Sequence, residues 1–130
     1  MLADGFYEWQ IERQSKQPYY IRLKNRRPFA FAGLWDCWIG TDGKMIESCV
    51  LLTTKPNGLI APIHNRMPVI LNPLIYQMWL DPNFQDVSCL LQHLEAYPAE
   101  EMEMFPVNRT VNNPNFDDQK CLLMAEEFRQ

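Results

Sequence analysis

The stretch from residue 29 to residue 38 constrains the fold most, because it is apolar on both faces of an extended strand. Small residues are interleaved with bulky aromatic ones along it, and Gly33 indicates a bend or the close approach of another backbone. Strands of this kind are typical of the middle of a sheet, where neighbours cover both faces. We therefore predict a central strand around which the other elements close.

Turn signals divide the rest of the chain into short strands and two helices. Strands are predicted at residues 5–9, 19–23, 47–54 and 69–71, and a final strand, interrupted by polar residues, at 104–107 and 110–112. Turns are predicted at 15–18, 25–28 and 40–44. Asn72 and Pro73 are typical of an N-cap and a first helical position, which predicts a helix over 74–80, and a second helix is predicted over 86–96. The pattern indicates an α+β fold, in which a curved mixed or antiparallel sheet forms a barrel-like core with flanking helices.

The composition is that of one soluble domain, with 130 residues, 47% of them hydrophobic and 22% charged. No apolar run approaches the roughly 18 residues that cross a bilayer, so we expect no membrane partner. The first residues lack the basic start and apolar stretch of a signal peptide. We expect a monomer, cytoplasmic and associated with the nucleoid in a bacterium, or nuclear in a eukaryote.

The cysteines are scattered, without a Cys-x-x-C pair and without a histidine spacing suited to zinc. We therefore expect thiols that are buried in the core, no metal site and no cofactor. The four cysteines are Cys37, Cys49, Cys89 and Cys121.

The formal net charge of −4 argues against a protein that coats nucleic acid without specificity, because such proteins are usually basic. The positive charges are nevertheless uneven, since many of them fall in the first quarter of the chain. Uneven charge can produce one positive face on an acidic protein. The composition is therefore compatible with a local groove that binds nucleic acid.

A histidine and an arginine lie two residues apart ahead of the apolar run 69–71, which Pro68 opens. A short helical turn over 59–63 is predicted to deliver His64, and on an extended segment His64 and Arg66 would share one face. The two side chains could bind one ligand, with His64 transferring a proton near neutral pH and Arg66 binding an anionic group through its guanidinium. Alternatively, His64 is a structural histidine and Arg66 bridges to an acid such as Glu8.

The aromatic run at residues 5–9 contains a carboxylate, Glu8, and ends in Trp9. A strand so rich in aromatic residues needs neighbours on both faces, so we expect that the natural protein continues upstream. Two alternatives stay open on these residues alone. Glu8 is either a functional acid or a solvated residue at a sheet edge, and Trp9 is either part of the core or a platform for stacking.

Four separated segments, in this order, resemble the SRAP (SOS response-associated peptidase) domain family. They are Ala-Asp-Gly-Phe-Tyr-Glu-Trp at 3–9, Phe-Ala-Gly-Leu-Trp at 31–35, Leu-Thr-Thr at 52–54 with Ile-His-Asn-Arg-Met-Pro-Val-Ile-Leu at 63–71, and Val-Asn at 111–112. The resemblance covers nearly the whole chain but only the later part of the family's domain. It implies an SRAP-like domain over 1–116, without the opening segment that carries the catalytic cysteine, and a tail over 117–130.

The resemblance implies an enzyme of the DNA damage response whose partner is single-stranded DNA with abasic sites. In such proteins an amino-terminal cysteine forms a covalent protein–DNA crosslink, in which its amine condenses with the sugar aldehyde and its thiol closes a thiazolidine. The implied catalytic residues are Glu8 and His64, and the implied DNA-binding residues are Trp9, Thr53 and Arg66. Alternatives are a cysteine-dependent autopeptidase and a non-catalytic remnant that binds DNA.

Overall fold

The computed structural model describes residues 1–11 and 16–125, in which most of the regular structure is β. The strands are β1 (Leu2–Ala3), β2 (Phe6–Ile11), β3 (Lys16–Leu23), β4 (Phe29–Ala30), β5 (Gly33–Ile39), β6 (Met45–Leu51), β7 (Thr53–Thr54), β8 (Met67–Pro68) and β9 (Met102–Pro106). The α-helices are α1 (Tyr76–Leu80) and α2 (Val87–Leu91). Four 3₁₀ helices lie at Pro73–Ile75, Ala99–Glu101, Arg109–Asn112 and Gln119–Leu122.

The strands of the described segments pair antiparallel in four small sheets. Strand β3 lies between β2 and β9, while β1 pairs with β4, β5 with β6, and β7 with β8. These sheets do not close into the predicted barrel. They are joined instead by an isolated bridge between Phe31 and Ile70 and by single hydrogen bonds such as that from the Ala32 N–H to the Val69 carbonyl, 2.8 Å.

The core lies between the three-stranded sheet and the segment that carries β8. Its largest fully buried side chains include Ile21 on β3, Ile60, Met67 on β8 and Met102 on β9. A second cluster contains Ala32, Val69, Leu71 and Ile75. The predicted apolar run at 69–71 is buried, as expected. It is not a strand, however, because β8 lies just ahead of it and only Ile70 of the run forms an isolated bridge, with Phe31.

The helix after this run begins as predicted. The Asn72 side chain accepts a hydrogen bond from the Leu74 N–H, 3.0 Å, and Pro73 occupies the first helical position. The second helix begins where predicted, with Asp86 as its cap, but α2 ends at Leu91 rather than near residue 96. Beyond that point the His93 N–H bonds to the Leu90 carbonyl, so the α-helical pattern tightens into 3₁₀-like turns ahead of Pro98.

The predicted central strand at residues 29–38 is divided. Its first part is buried in the core, with Phe29 and Ala32 at 3% and 0% exposure, whereas β5 forms a hairpin with β6 and Trp35 is 75% exposed. Within the residues that the structure describes, the prediction that neighbours cover both faces of this strand is therefore wrong for β5. The hairpin turn at 40–44 is confirmed, and Gly43 takes the left-handed conformation there (φ 79°).

Three smaller predictions also need correction. Cys37 and Cys49 are exposed on the hairpin and Cys89 is half-buried, so only Cys121 is a core thiol. The predicted turn at 15–18 is wrong from Lys16 onward, because β3 begins there and pairs with β2; residues 12–15 lie outside the described segments.

The predicted strand at 110–112 is a 3₁₀ helix, because the Asn108 side chain caps it by accepting a bond from the Thr110 N–H, 3.0 Å. Beyond this helix the chain returns to the domain. Cys121 is buried and Met124 forms a bridge with Val107. The predicted tail over 117–130 is described only to residue 125.

Candidate active site

Glu8 and His64 face each other although they come from different parts of the fold. Glu8 lies in the middle of β2, opposite Tyr19 of β3, and its side chain is 20% exposed. Glu8 Oε2 lies 3.7 Å from His64 Nδ1. The pair attract each other when the imidazole is protonated, and a small movement would bring them into hydrogen-bond contact.

The backbone on both sides of His64 sets the position of its ring. The predicted turn ahead of it is present, and the His64 N–H bonds to the Ile60 carbonyl at 3.0 Å. His64 Nδ1 lies 2.9 Å from the Arg66 carbonyl oxygen and 3.2 Å from the Arg66 nitrogen. A protonated Nδ1 donates to the carbonyl, whereas an unprotonated Nδ1 accepts from the N–H, so either tautomer is held in this orientation.

The carboxylate of Glu8 is oriented by its own neighbour. Its Oε1 accepts a hydrogen bond from the Trp9 N–H at 3.0 Å, which directs Oε2 towards His64. A carboxylate with one oxygen held and the other facing an imidazole is a suitable arrangement for passing a proton. Glu8 and His64 are therefore close enough to be candidates for an acid–base pair.

Arg66 is held by Thr53, not by Glu8. Its Nη2 donates to the Thr53 carbonyl and, at 2.9 Å, to the Thr53 hydroxyl oxygen, while its Nε lies 3.2 Å from the same hydroxyl. Thr53 begins β7 and lies opposite Pro68 of β8. Both residues are exposed, so the guanidinium that Thr53 holds presents a permanent positive charge to solvent.

Trp9 is tied to Asn112, a residue to which the sequence assigns no role beyond its place in the fourth motif. The Trp9 Nε1–H donates to Asn112 Oδ1 at 2.7 Å, across the sheet edge from β2 to the 3₁₀ helix Arg109–Asn112. The tryptophan ring is half-buried and lies 6.3 Å from the ring of Tyr7. The indole is therefore held in a defined plane.

These groups surround an open cleft of about 690 Å³. We call it the Glu8–His64 cleft, and its lining consists of Glu8, Trp9, Ile11, Lys16, His64, Val111, Asn112 and Pro114. Of the predicted site residues, Glu8, Trp9 and His64 line the cleft, whereas Thr53 and Arg66 are not among its lining residues. Lys16, Ile11 and Pro114 were not singled out as site residues, because nothing in their local sequence distinguishes them.

The tyrosines next to the cleft are not candidates for proton transfer. Burial, and then the neighbouring Cys121, raises the pKa of Tyr7 above its ordinary value of 10.0. Burial, and then Asp4, likewise raises the pKa of Tyr20. Both hydroxyls therefore keep their protons at neutral pH and serve in packing.

Neither a metal cluster nor a membrane helix is found in the described segments. Residues 1–11 and 16–125 contain no group of three histidine, cysteine, aspartate or glutamate side chains that could hold a metal ion. The same residues form no helix that is both long and apolar enough to cross a membrane.

A family model described as SOS response associated peptidase (SRAP) matches residues 1–114. The chain is 42% identical to the abasic site processing protein YoqW of Bacillus subtilis, in a match that covers 86% of this chain and 50% of YoqW. It is 32% identical to the abasic site processing protein HMCES of Xenopus tropicalis, covering 94% of this chain and 42% of that protein. The chain thus spans about half the length of these relatives.

Solved structures share the fold. A protein from Bacteroides thetaiotaomicron superposes with a TM-score of 0.84 at 27% identity, over 96% of this chain and 56% of its own. A protein from Bordetella bronchiseptica superposes with a TM-score of 0.73, also at 27% identity, over 83% of this chain and 53% of its own.

Proposed function

This chain belongs to the SRAP family, and we propose that its Glu8–His64 cleft binds single-stranded DNA at an abasic site and assists the covalent capture of that site. The observation that carries the proposal is the distance of 3.7 Å between Glu8 Oε2 and His64 Nδ1 in an open cleft. The names of the YoqW and HMCES relatives, which are abasic site processing proteins, support the choice of substrate.

Trp9 and Arg66 supply the two interactions that sequence-tolerant binding to a single strand needs. A nucleobase stacks on an aromatic face whatever its identity, and the indole of Trp9 is held for this by Asn112. The guanidinium of Arg66, fixed by Thr53, attracts a phosphate of the strand. Lys16, which lines the cleft, adds a second positive charge to the strand's path.

The proposed chemistry joins a cysteine that has a free α-amino group to the opened sugar of the abasic site. The amine adds to the sugar aldehyde and water leaves, giving an imine; the thiol then forms a C–S bond to the imine carbon while its proton passes to the nitrogen, giving a thiazolidine. Glu8 accepts the proton that the α-ammonium must lose before the neutral amine can attack. As the sugar ring opens, His64 donates a proton to the ring oxygen while the anomeric hydroxyl loses its own proton to water, giving the aldehyde. We place the cysteine in the part of the domain outside the match with YoqW.

A second candidate is a cysteine-dependent peptidase, which the description of the matching family favours. The same acid–base pair would then activate the thiol for attack on a peptide carbonyl and protonate the leaving amine. The two functions differ in their product, since one leaves a protein–DNA adduct and the other a cleaved peptide.

The test is a denaturing gel in which single-stranded DNA with one abasic site is mixed with this chain or with an extended protein that restores a cysteine-first segment. We expect an adduct with the extended protein. Glu8→Gln and His64→Gln in that protein should slow adduct formation by about 10²-fold or more, while the affinity for abasic DNA changes little. Glu100→Gln and His93→Gln are matched controls, because neither residue lines the cleft.

Three outcomes would overturn the proposal. Adduct formation by neither protein, together with salt-sensitive DNA binding, would indicate a non-catalytic remnant. Cleavage of a leader peptide without an adduct would favour the peptidase. Equal losses of binding and of adduct formation in the Glu8 and His64 variants would show that these side chains are binding or structural groups.

A further inference from the structure

The turn that delivers His64 to the cleft begins at Asn57. The side-chain Oδ1 of Asn57 accepts hydrogen bonds from the N–H groups of Leu59 and Ile60, both at 3.1 Å. An asparagine that accepts from the amides two and three residues further on is the usual cap of a helical turn. We call residues 57–64 the histidine turn, and Asn57 is its cap.

The other atoms of Asn57 join the histidine turn to distant parts of the chain. Its Nδ2 donates to the Tyr97 carbonyl at 2.7 Å and lies 3.3 Å from the sulfur of Met102, while its backbone N–H donates to the sulfur of Met67 at 3.3 Å. Met67 and Met102 are 1% and 2% exposed. Asn57 therefore connects the beginning of the turn to Tyr97 and to two buried side chains, one on β8 and one on β9.

Ile60 transmits this constraint from Asn57 to His64. Its N–H donates to Asn57 Oδ1, and its carbonyl accepts from the N–H groups of Ile63 and His64 at 2.9 Å and 3.0 Å. Its side chain is fully buried in the core. Because Ile60 is held by its N–H, its carbonyl and its side chain, the backbone of His64 has a defined position relative to the core.

The ring of His64 depends on that backbone position. In the described segments its Nδ1 forms hydrogen bonds with the backbone of Arg66, only two residues further on, and the side chain is 39% exposed. These local bonds orient the ring, but they do not fix the distance between the turn and β2, where Glu8 lies. Asn57 is not among the residues that line the cleft, so any effect it has on the reaction acts through His64.

We propose that Asn57 is a positioning residue that holds the imidazole of His64 within reach of the Glu8 carboxylate. This inference rests on the proposed function of the Glu8–His64 pair. Proton transfer requires a close approach of the two groups, which here lie 3.7 Å apart, and a displacement of about 1 Å can reduce a rate about 10²-fold. Without its cap, the histidine turn opens and the separation of Glu8 from His64 is no longer fixed.

The chemistry of the amide explains why this position suits asparagine. An amide oxygen accepts two hydrogen bonds, which serve the turn, while the amide nitrogen donates to the Tyr97 carbonyl. A serine hydroxyl caps such turns more weakly, and an alanine side chain offers neither interaction. Asn57→Ser and Asn57→Ala should therefore weaken the cap in two steps.

The test is NMR spectroscopy of the imidazole groups at one fixed pH, since this chain has only two histidines, His64 and His93. In the parent chain, Glu8→Gln should shift the signals of His64, because it removes a carboxylate 3.7 Å away, and leave those of His93 in place. In Asn57→Ala, this Glu8-dependent shift should fall to less than half of its size in the parent chain. Asn57→Ser should give an intermediate value.

Asn72→Ala is the matched control. Asn72 also caps a helical turn, through its bond from the Leu74 N–H at 3.0 Å, but it lies at the beginning of another helix. Its substitution should leave the Glu8-dependent shift at full size, and thermal unfolding identifies the variants that fold. An equal loss of the shift in Asn72→Ala, or a shift of parental size in Asn57→Ala, would overturn the proposal. If Asn57→Ala does not fold, a shift of parental size in Asn57→Ser would overturn it.

A kinetic measurement on the extended protein tests the same role in the reaction. Asn57→Ala should reduce the rate of adduct formation at saturating abasic DNA about tenfold and leave the half-saturating DNA concentration unchanged. A change in the half-saturating concentration alone would overturn the positioning role. The NMR readout needs no DNA: if Glu8→Gln shifts no His64 signal in the parent chain, the proposed pair itself fails, whereas a shift that ignores Asn57 contradicts only this inference.

Discussion

The sheet β2–β3–β9 and the hairpin β5–β6 are both rich in apolar residues, yet their side chains have opposite surroundings. In β3, Ile21 and Leu23 are 0% and 5% exposed because β2 and β9 pair on either side and the segment with β8 packs beneath. In the hairpin, Trp35 and Ile39 are 75% and 71% exposed. The difference shows that the burial of a strand depends on which neighbours it has, more than on its own residues.

The candidate catalytic groups belong to the packed region. Glu8 and Trp9 are on β2, which pairs with β3 along its whole length, and His64 is carried by the turn that contains the fully buried Ile60. Side chains on such elements keep their positions, which an acid–base pair requires. The hairpin carries exposed apolar side chains instead, and none of them lines the Glu8–His64 cleft.

The largest expected effect is the loss of a core side chain. Ile21→Ala should lower the free energy of unfolding by about 2–5 kcal/mol, because it removes buried methyl and methylene groups and leaves a cavity. Ile39→Ala on the hairpin should change it by less than about 0.5 kcal/mol, since that side chain already contacts water. Urea denaturation measures both, and similar values for the two variants would contradict the division between the regions.

The next largest loss of stability is expected where Gly5 lies against the ring of Tyr20. A Cβ at Gly5 would overlap the ring of Tyr20, which is buried, so Gly5→Ala should destabilise the fold by about 1–3 kcal/mol. Gly58 has open space around its Cα, and Gly58→Ala is the control. The midpoint of urea unfolding distinguishes them. A neutral Gly5→Ala would mean that the Tyr20 ring moves aside without cost.

Substitution of two tryptophans tests whether DNA binds at the proposed surface or at the hairpin. Trp9→Ala should weaken binding to single-stranded DNA by about 1–3 kcal/mol, the usual contribution of one base stacked on an aromatic ring. Trp38→Ala, which removes a half-exposed ring from the hairpin, should leave the affinity unchanged. Fluorescence anisotropy at fixed salt measures both. If Trp38→Ala weakened DNA binding and Trp9→Ala did not, the DNA-binding surface would lie on the hairpin instead.

The smallest expected effect is a dependence on alkaline pH. The pKa values of Tyr7 and Tyr20 are raised by burial, so above about pH 10 the folded state keeps protons that the unfolded state releases. The stability from these groups is complete below the unfolded pKa and is lost as pH rises through the folded pKa.

Urea unfolding at pH 8, 10 and 11 should therefore show a decline above pH 10. Tyr20→Phe should make that decline shallower, because it removes one of the tyrosines whose pKa is raised by burial, which also include Tyr7 and Tyr97. A profile that stays flat to pH 11 would contradict the burial of these rings.

Several elements were predictable because their signals are local. Asn72 and Pro73 mark the beginning of a helix through a side-chain cap and a preset backbone angle, and both act within a few residues. The turn at 40–44 has two glycines, one of which takes a positive φ. Glu8, His64, Trp9, Thr53 and Arg66 were singled out differently, by the resemblance of separated motifs to the SRAP family, and their roles stay predictions.

The partners of these residues were not predictable, because they come from distant parts of the chain. The bond from Trp9 to Asn112 and the contact between Glu8 and His64 depend on how β2, the turn at 58–63 and the 3₁₀ helix Arg109–Asn112 pack together. The choice of Thr53 over Glu8 as the partner of Arg66 depends on the short pairing of β7 with β8.

The sequence by itself indicated many short strands with few helices, the SRAP family and the residues of the proposed chemistry, since residue type, spacing and local caps are properties of neighbours along the chain. Only the tertiary structure decided that residues 29–38 divide into a buried part and an exposed hairpin and that the sheets remain open. It also decided that the Glu8–His64 cleft and the exposed apolar residues of the hairpin are separate surfaces. The physical reason is that burial and distance between remote side chains are set by packing, which no local pattern contains.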